Sequence, residues 1–169
     1  MALIVETGSG SSTAESYLSV TDADTYHSNY GNTDWTGDDS VKEIALRKAT
    51  RYIDALYARR WLGRRVSASQ ALDWPRAYVE DYDGFYLSSS EIPQGIKDAI
   101  ALMALAALTE DIYPDLDEGE GAKVASKIVV GPIEISDQFA GGAVAVKYYR
   151  LAEDLLSRYI TSGGTISRG

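Results

Sequence analysis

The chain has 169 residues, 45% hydrophobic and 24% charged, with a formal net charge of -9 and no cysteine. That length is one domain with a sizeable core, and the missing cysteines exclude disulfides and thiolate chemistry. The acidity argues against broad, nonspecific binding of duplex DNA, because the field of the whole molecule repels phosphate.

The opening MALIVETGSG has neither the basic start nor the long apolar core of a secretory signal. GSGSSTAES is rich in Gly and Ser and predicts a flexible arm over residues 1–16. Thr21-x-x-Asp24 reads as a capping box opening a short helix to about Tyr30. Ser40-x-x-Glu43 predicts a second helix to about Tyr57, with Ala45, Ala49, Tyr52, Ile53 and Leu56 on its apolar face and Glu43 paired to Arg47. Periodicity then stops, and Gly63, Pro75, Gly84 and Ser88-Ser89-Ser90 punctuate a long loop over 58–93 of the kind that forms interfaces. From about Gln94 to Ile112 the chain is apolar nearly all round, with Ile96, Ile100, Met103, Ala104, Ala107 and Leu108 on one face, and it predicts the central helix. Its run Ala99 to Leu108 is about half of what a bilayer span needs, so a soluble, cytosolic protein without membrane contact is expected. KIVVGPIEIS predicts a hairpin around Gly131-Pro132, and the last helix is expected over about 144–160, followed by a polar tail over 161–169. Leu151, Leu155 and Leu156 are expected in its core-facing row. The fold class is mainly α: a small bundle of about four helices, a long intervening loop and one β-hairpin, in a single domain over 1–169.

The catalytic inventory is thin. His27 is the only histidine, and a lone histidine on a short helix is more often structural than catalytic. DLDEGEG fails as a calcium loop, since Gly119 and Ser126 stand where ligands are needed. No phosphate-binding glycine loop or nucleophile elbow is present. The chain therefore reads as a non-enzyme without cofactor or metal.

One segment stands apart. Between Arg47 and Arg76 eight basic residues face only Asp54 and Asp73, a net of +6 that leaves -15 for the remainder of a chain whose total is -9. Within it lie Arg59, Arg60, Trp61, Arg64, Arg65, Trp74 and Arg76. Three uses compete for this patch. Rings could stack on bases while guanidinium groups hold the phosphates of a single strand. The same residue types dominate protein interfaces. Or both tryptophans could be core, a reading that suits Trp74, where Asp73-Trp74-Pro75 looks like a turn anchored by a buried ring.

Tyr17-Leu18-Ser19, Asp22-Ala23-Asp24-x-Tyr26-His27, Gln70-Ala71-Leu72-Asp73-Trp74-Pro75-Arg76, Asp83-Gly84, Ile92-Pro93 and Val130-Gly131-Pro132-Ile133-Glu134, in this order, resemble a family of tailed-phage and prophage proteins labelled DnaT-like single-stranded-DNA-binding proteins. The layout also resembles phage head–tail connectors, or head-completion adaptors. That second likeness implies a virion protein of the neck, made in the host bacterial cytoplasm. It would form a homo-oligomeric ring, usually of twelve copies, under the portal protein. It would continue the channel for genomic DNA and dock a tail-side connector or stopper protein. Charge complementarity between the basic segment and the acidic remainder suits a head-to-tail ring, so the connector is the expected function and single-stranded-DNA binding in phage replication the alternative. On the connector reading Arg59, Arg60, Trp61, Arg64, Arg65, Trp74 and Arg76 lie at a subunit interface or the channel. By analogy with connectors, Tyr148, Tyr149, Arg150, Arg158 and Tyr159 face the portal.

Overall fold

The computed structural model describes residues 2–110, 112, 125–130, 133–138 and 149–161, the two middle strands by their backbone. Two compact units result, one built from residues 1–112 and 149–169 and the other from 113–148. The described part of the second unit is the expected hairpin, β3 (Ala125–Val130) and β4 (Ile133–Gln138), antiparallel with Val130 opposite Ile133. The acidic loop between Pro114 and Lys123 lies outside the described residues.

The first unit is helical, as its periodicity predicts. Helix α1 (Val20–Asn29) begins two residues before the expected box. Ser19, in extended conformation, accepts the backbone N–H of Asp22 at 3.1 Å and donates its hydroxyl to the Asp22 carboxylate at 2.7 Å. The working box is therefore Ser19-x-x-Asp22, because Tyr17 and Leu18 are already buried and fix where the helix starts.

Helix α2 (Asp39–Tyr57) turns Ala45, Leu46, Ala49, Tyr52, Ile53 and Tyr57 inward. Glu43 accepts from Arg47 at 3.3 Å, the predicted i,i+4 pair. Leu56, expected inside, is 41% exposed, since the helix meets its neighbour on the Ile53–Tyr57 side. Helix α3 (Gln94–Thr109) is the axis on which α2, α1 and the terminal helix α4 (Arg150–Leu156) pack. Ile96, Ile100 and Met103 are fully buried, each contributing roughly 1.5–3 kcal/mol by transfer out of water. A 3-10 turn (Ser157–Tyr159) continues α4. Leu156 is buried as expected and Leu155 half-buried, but Leu151 is 60% exposed, on the outer side of the last helix.

The Gly/Ser segment, expected as a flexible arm, is wrapped around one carboxylate. Glu6 is 1% exposed, and it accepts the backbone N–H groups of Gly8, Gly10 and Ser11 at 2.8, 3.1 and 2.7 Å. A side chain at Gly8, which has φ +111°, would collide with the Ser90 carbonyl, so the loop depends on glycine there.

Candidate nucleic-acid interface

Helix α2 does not end abruptly. Ala58 keeps right-handed helical angles, and the N–H groups of Arg60 and Trp61 both donate to the Tyr57 carbonyl, at 2.8 and 3.2 Å. The next residues are stitched to the end of the chain: Leu62 N–H donates to the Tyr159 carbonyl at 2.9 Å and Thr161 N–H to the Arg60 carbonyl at 2.7 Å. Gly63, with φ +64°, lets the chain turn against the Ala77 carbonyl. Arg64–Arg65 (β1) then pairs antiparallel with Arg76–Ala77 (β2), Arg64 opposite Ala77 and Arg65 opposite Arg76.

This scaffold divides the arginine and tryptophan residues into two groups. The inward group is Trp61, Trp74 and Arg76. Trp61 and Trp74 cross edge-to-face at 5.9 Å, and Trp74 meets Tyr159 the same way at 5.8 Å. With exposures of 6% and 0%, neither tryptophan can offer a face to a base. The expectation that these rings lie at a contact surface is therefore corrected: they are the core of the loop. Arg76 is buried too. Its guanidinium donates to the carbonyls of Leu62 at 2.6 Å, Gly63 at 2.9 Å and Asp73 at 3.2 Å, so it is a brace between the two sides of the loop and not a surface cation. Such a charge is tolerable inside because its donors are satisfied by aligned carbonyls and Asp73 lies near.

Behind this brace lies a polar knot. Tyr17 donates its hydroxyl to the Asp54 carboxylate and accepts Trp74 N–H at 3.0 Å, while Asp73 N–H donates to Asp54 at 3.2 Å. Burial pushes the Asp54 carboxyl up to about 7, against the pull of those hydrogen bonds and of Arg76. The Trp74–Pro75 peptide is cis. The sequence reading of Trp74 as the buried anchor of a turn is thus realised in detail.

The outward group is Arg59, Arg60, Arg64 and Arg65, all exposed. The same loop carries a set of exposed rings that sequence reasoning did not single out. Tyr78, Tyr82, Phe85 and Tyr86 are between 65% and 76% exposed. Arg64 lies over the Tyr78 ring, 4.7 Å from its centroid. Tyr78 is the one non-glycine residue with positive φ (61°) among the described residues. That conformation costs on the order of 1 kcal/mol or more, and it allows the ring to stand in solvent while Val79, next to it, is fully buried. The tip beyond is a tight turn closed by Asp81, whose carboxylate accepts the N–H groups of Asp83 and Phe85, both at 2.9 Å. Val79 accepts Leu87 N–H at 2.8 Å, and Glu80 bridges to Tyr86. Four aromatic residues within nine positions, without helical or strand period, were the available sequence signal.

The residues assigned to a portal-facing element do not form one surface. Tyr149 is half-buried, donates to Glu110 at 2.9 Å and lies edge-on to Tyr52. Tyr159 is buried against Trp74 and over Gly95. Arg150 and Arg158 are exposed, and Tyr148 lies outside the described residues.

The whole chain, residues 1–169, matches the family model described as "Putative DnaT-like ssDNA binding protein". The chain belongs to that family. No curated protein and no solved structure matches it. The family match corrects the connector expectation: its description is that of a single-strand binder, and the ring, portal and tail-side partners find no support in it. No helix among the described residues is long and apolar enough to cross a membrane.

Proposed function

We propose that the protein binds single-stranded DNA, without performing chemistry on it, through the exposed part of the 58–87 loop. Bases would stack on Tyr78, Tyr82, Phe85 and Tyr86, and phosphates would lie against Arg59, Arg60, Arg64 and Arg65. The observation that carries this reading is the Arg64–Tyr78 pair, a cation and an exposed π-face within one ligand's reach. Stacking of this kind is worth about 1–3 kcal/mol per base and is tolerant of sequence. The family description supports the same partner.

Charge sets the character of the binding. Glu80, Asp81 and Asp83 sit in the aromatic turn, so phosphates are drawn to the arginine side and the rings are left to the bases. A duplex offers no exposed base faces and presents twice the charge to an acidic molecule, so single strands are preferred. The test is fluorescence anisotropy with a labelled oligo-dT and its duplex across a salt series. Four phosphate contacts predict a slope of log K on log salt of about -3, at roughly 0.7 per contact. Equal or tighter binding of the duplex, or no binding at low salt, would sink the reading.

A further inference from the structure

The loop is only one end of a longer cationic surface. Helix α2 presents Val41, Ile44, Lys48, Arg51 and Ala55 on its solvent side, at spacings of three or four residues that keep them in one row, and the exposed Arg59 follows in the turn after its end at Tyr57. Between Ile44 and Arg59 this row contains three cations and no carboxylate, in a protein whose net charge is -9. Of the helix's three acids, Asp39 stands exposed in the first turn, before the cations of the row begin, and the other two are engaged. Glu43 is held by Arg47, and Asp54 is sequestered beneath Tyr17. Lys48, Arg51 and Arg59 have no ion-pair partner among the described residues. Ala58 keeps helical angles, and the exposed Arg60 and the Arg64–Arg65 strand follow it along the chain.

We propose that the solvent face of α2 is a phosphate track that continues the loop site, with Lys48 and Arg51 on the helix and Arg59 in the turn that follows its end at Tyr57. The occupant is the sugar–phosphate backbone of the strand whose bases stack on the aromatic turn. The apolar positions Ile44 and Ala55 leave the row without acceptors that would compete for the cations, and Ile44 is 52% exposed, so no neighbouring element covers it. This inference rests on the single-strand reading and extends it: the occluded length is set by a helix, where each contact is phosphate alone and carries no base preference.

The double variant Lys48→Gln/Arg51→Gln tests it. Both side chains are exposed, so its circular dichroism and urea midpoint should match the parent. Against a long oligo-dT the salt slope is expected to become shallower by about 1.4, two contacts at roughly 0.7 each, with affinity at low salt down about tenfold. Against an oligonucleotide short enough to occupy the aromatic turn alone, variant and parent should bind alike. A second readout is protection of Lys48 from amine acylation by bound oligo-dT, measured by mass spectrometry, with Lys97 as the unprotected comparison. An unchanged slope with Lys48 equally reactive overturns the track. If Arg64→Gln/Arg65→Gln still weakens binding in that case, the loop reading stands without it. If the parent binds no single strand at low salt, both readings fall together.

Discussion

The Tyr17 hydroxyl lies 2.8 Å from each oxygen of the Asp54 carboxylate and holds it at the base of the 58–87 loop. Trp74 N–H closes on the same hydroxyl, so one oxygen atom joins the N-terminal segment, helix α2 and the Asp73-Trp74-Pro75 turn. Tyr17→Phe would leave the buried Trp74 backbone amide without its acceptor and the Asp54 carboxyl with the Asp73 N–H alone. A loss of roughly 1–3 kcal/mol is expected, the cost of one unsatisfied buried group, read as a lower urea midpoint with unchanged m-value.

The same carboxyl makes stability depend on pH. Burial raises Asp54 to about 7 in the folded chain, from an ordinary value of 3.8. The folded state therefore holds this proton more tightly than the unfolded chain does. Its contribution is fully present below about pH 4, falls as pH rises, and is exhausted above about pH 7. Three units correspond to an effect on the order of 4 kcal/mol. Asp54→Asn, which cannot ionise, should gain on the parent as pH rises from 4 to 7. Parallel stability curves for the two proteins over that window would show that Asp54 keeps an ordinary affinity for its proton.

Arginines in this loop separate by what they touch. Arg76→Lys keeps the charge but cannot reach the carbonyls of Leu62, Gly63 and Asp73 together. It should cost at most about 3–5 kcal/mol of stability, the range for breaking a buried ion pair. Arg64→Gln/Arg65→Gln should cost within about 0.5 kcal/mol, as exposed substitutions do, yet weaken oligo-dT binding. Thermal melts and anisotropy on the two variants read both effects side by side.

Native tryptophan fluorescence should respond little to DNA stacking, because all three tryptophans, Trp35, Trp61 and Trp74, are buried. Phe85→Trp places an indole where a base would sit. Its emission is expected to be quenched, saturably, by oligo-dT and to be restored by added salt. A Phe85→Trp protein that binds oligo-dT with no quenching would remove position 85 from the stacking set.

Asp83 is exposed in the aromatic turn, and the turn itself is closed by Asp81. Asp83→Asn should therefore leave the turn intact while removing one repulsive charge. Tighter binding, by roughly twofold at low salt and vanishing at high salt, is the expected result. Weaker binding would mean that the carboxylate itself contacts the strand.

Much of the helical frame was legible, because α2 and α3 bury rows that recur at three and four residues, and β3 and β4 pair on either side of the hairpin signal in the sequence. The Trp74 anchor was legible from composition, since a ring beside Asp and Pro has few uses other than fixing a turn. What failed was the division of the arginine segment. Arg76 and Arg65 are opposite each other across a two-residue ladder, yet one is buried and the other exposed, and alternation over so short a strand leaves no pattern to read. Tyr78, Tyr82, Phe85 and Tyr86 escaped because aromatic residues in a loop are expected to anchor it. Here Val79 and Leu87 do the anchoring, and the rings stay outside. The Glu6 loop was hidden for a related reason: a buried carboxylate satisfied by successive glycine and serine amides looks, in one dimension, like a linker.

The seam between residues 60–62 and 159–161 has a bearing on how the molecule is made. Thr161 and the carbonyl it caps are 101 positions apart, and the carbonyl comes first. During synthesis, at about 5–20 residues per second, the arginine strand leaves the ribosome well before the segment that edges it. Trp74 must wait that interval without Tyr159 against it. The nascent chain thus presents its cations, near a ribosome rich in RNA, before Trp74 has gained its last ring neighbour.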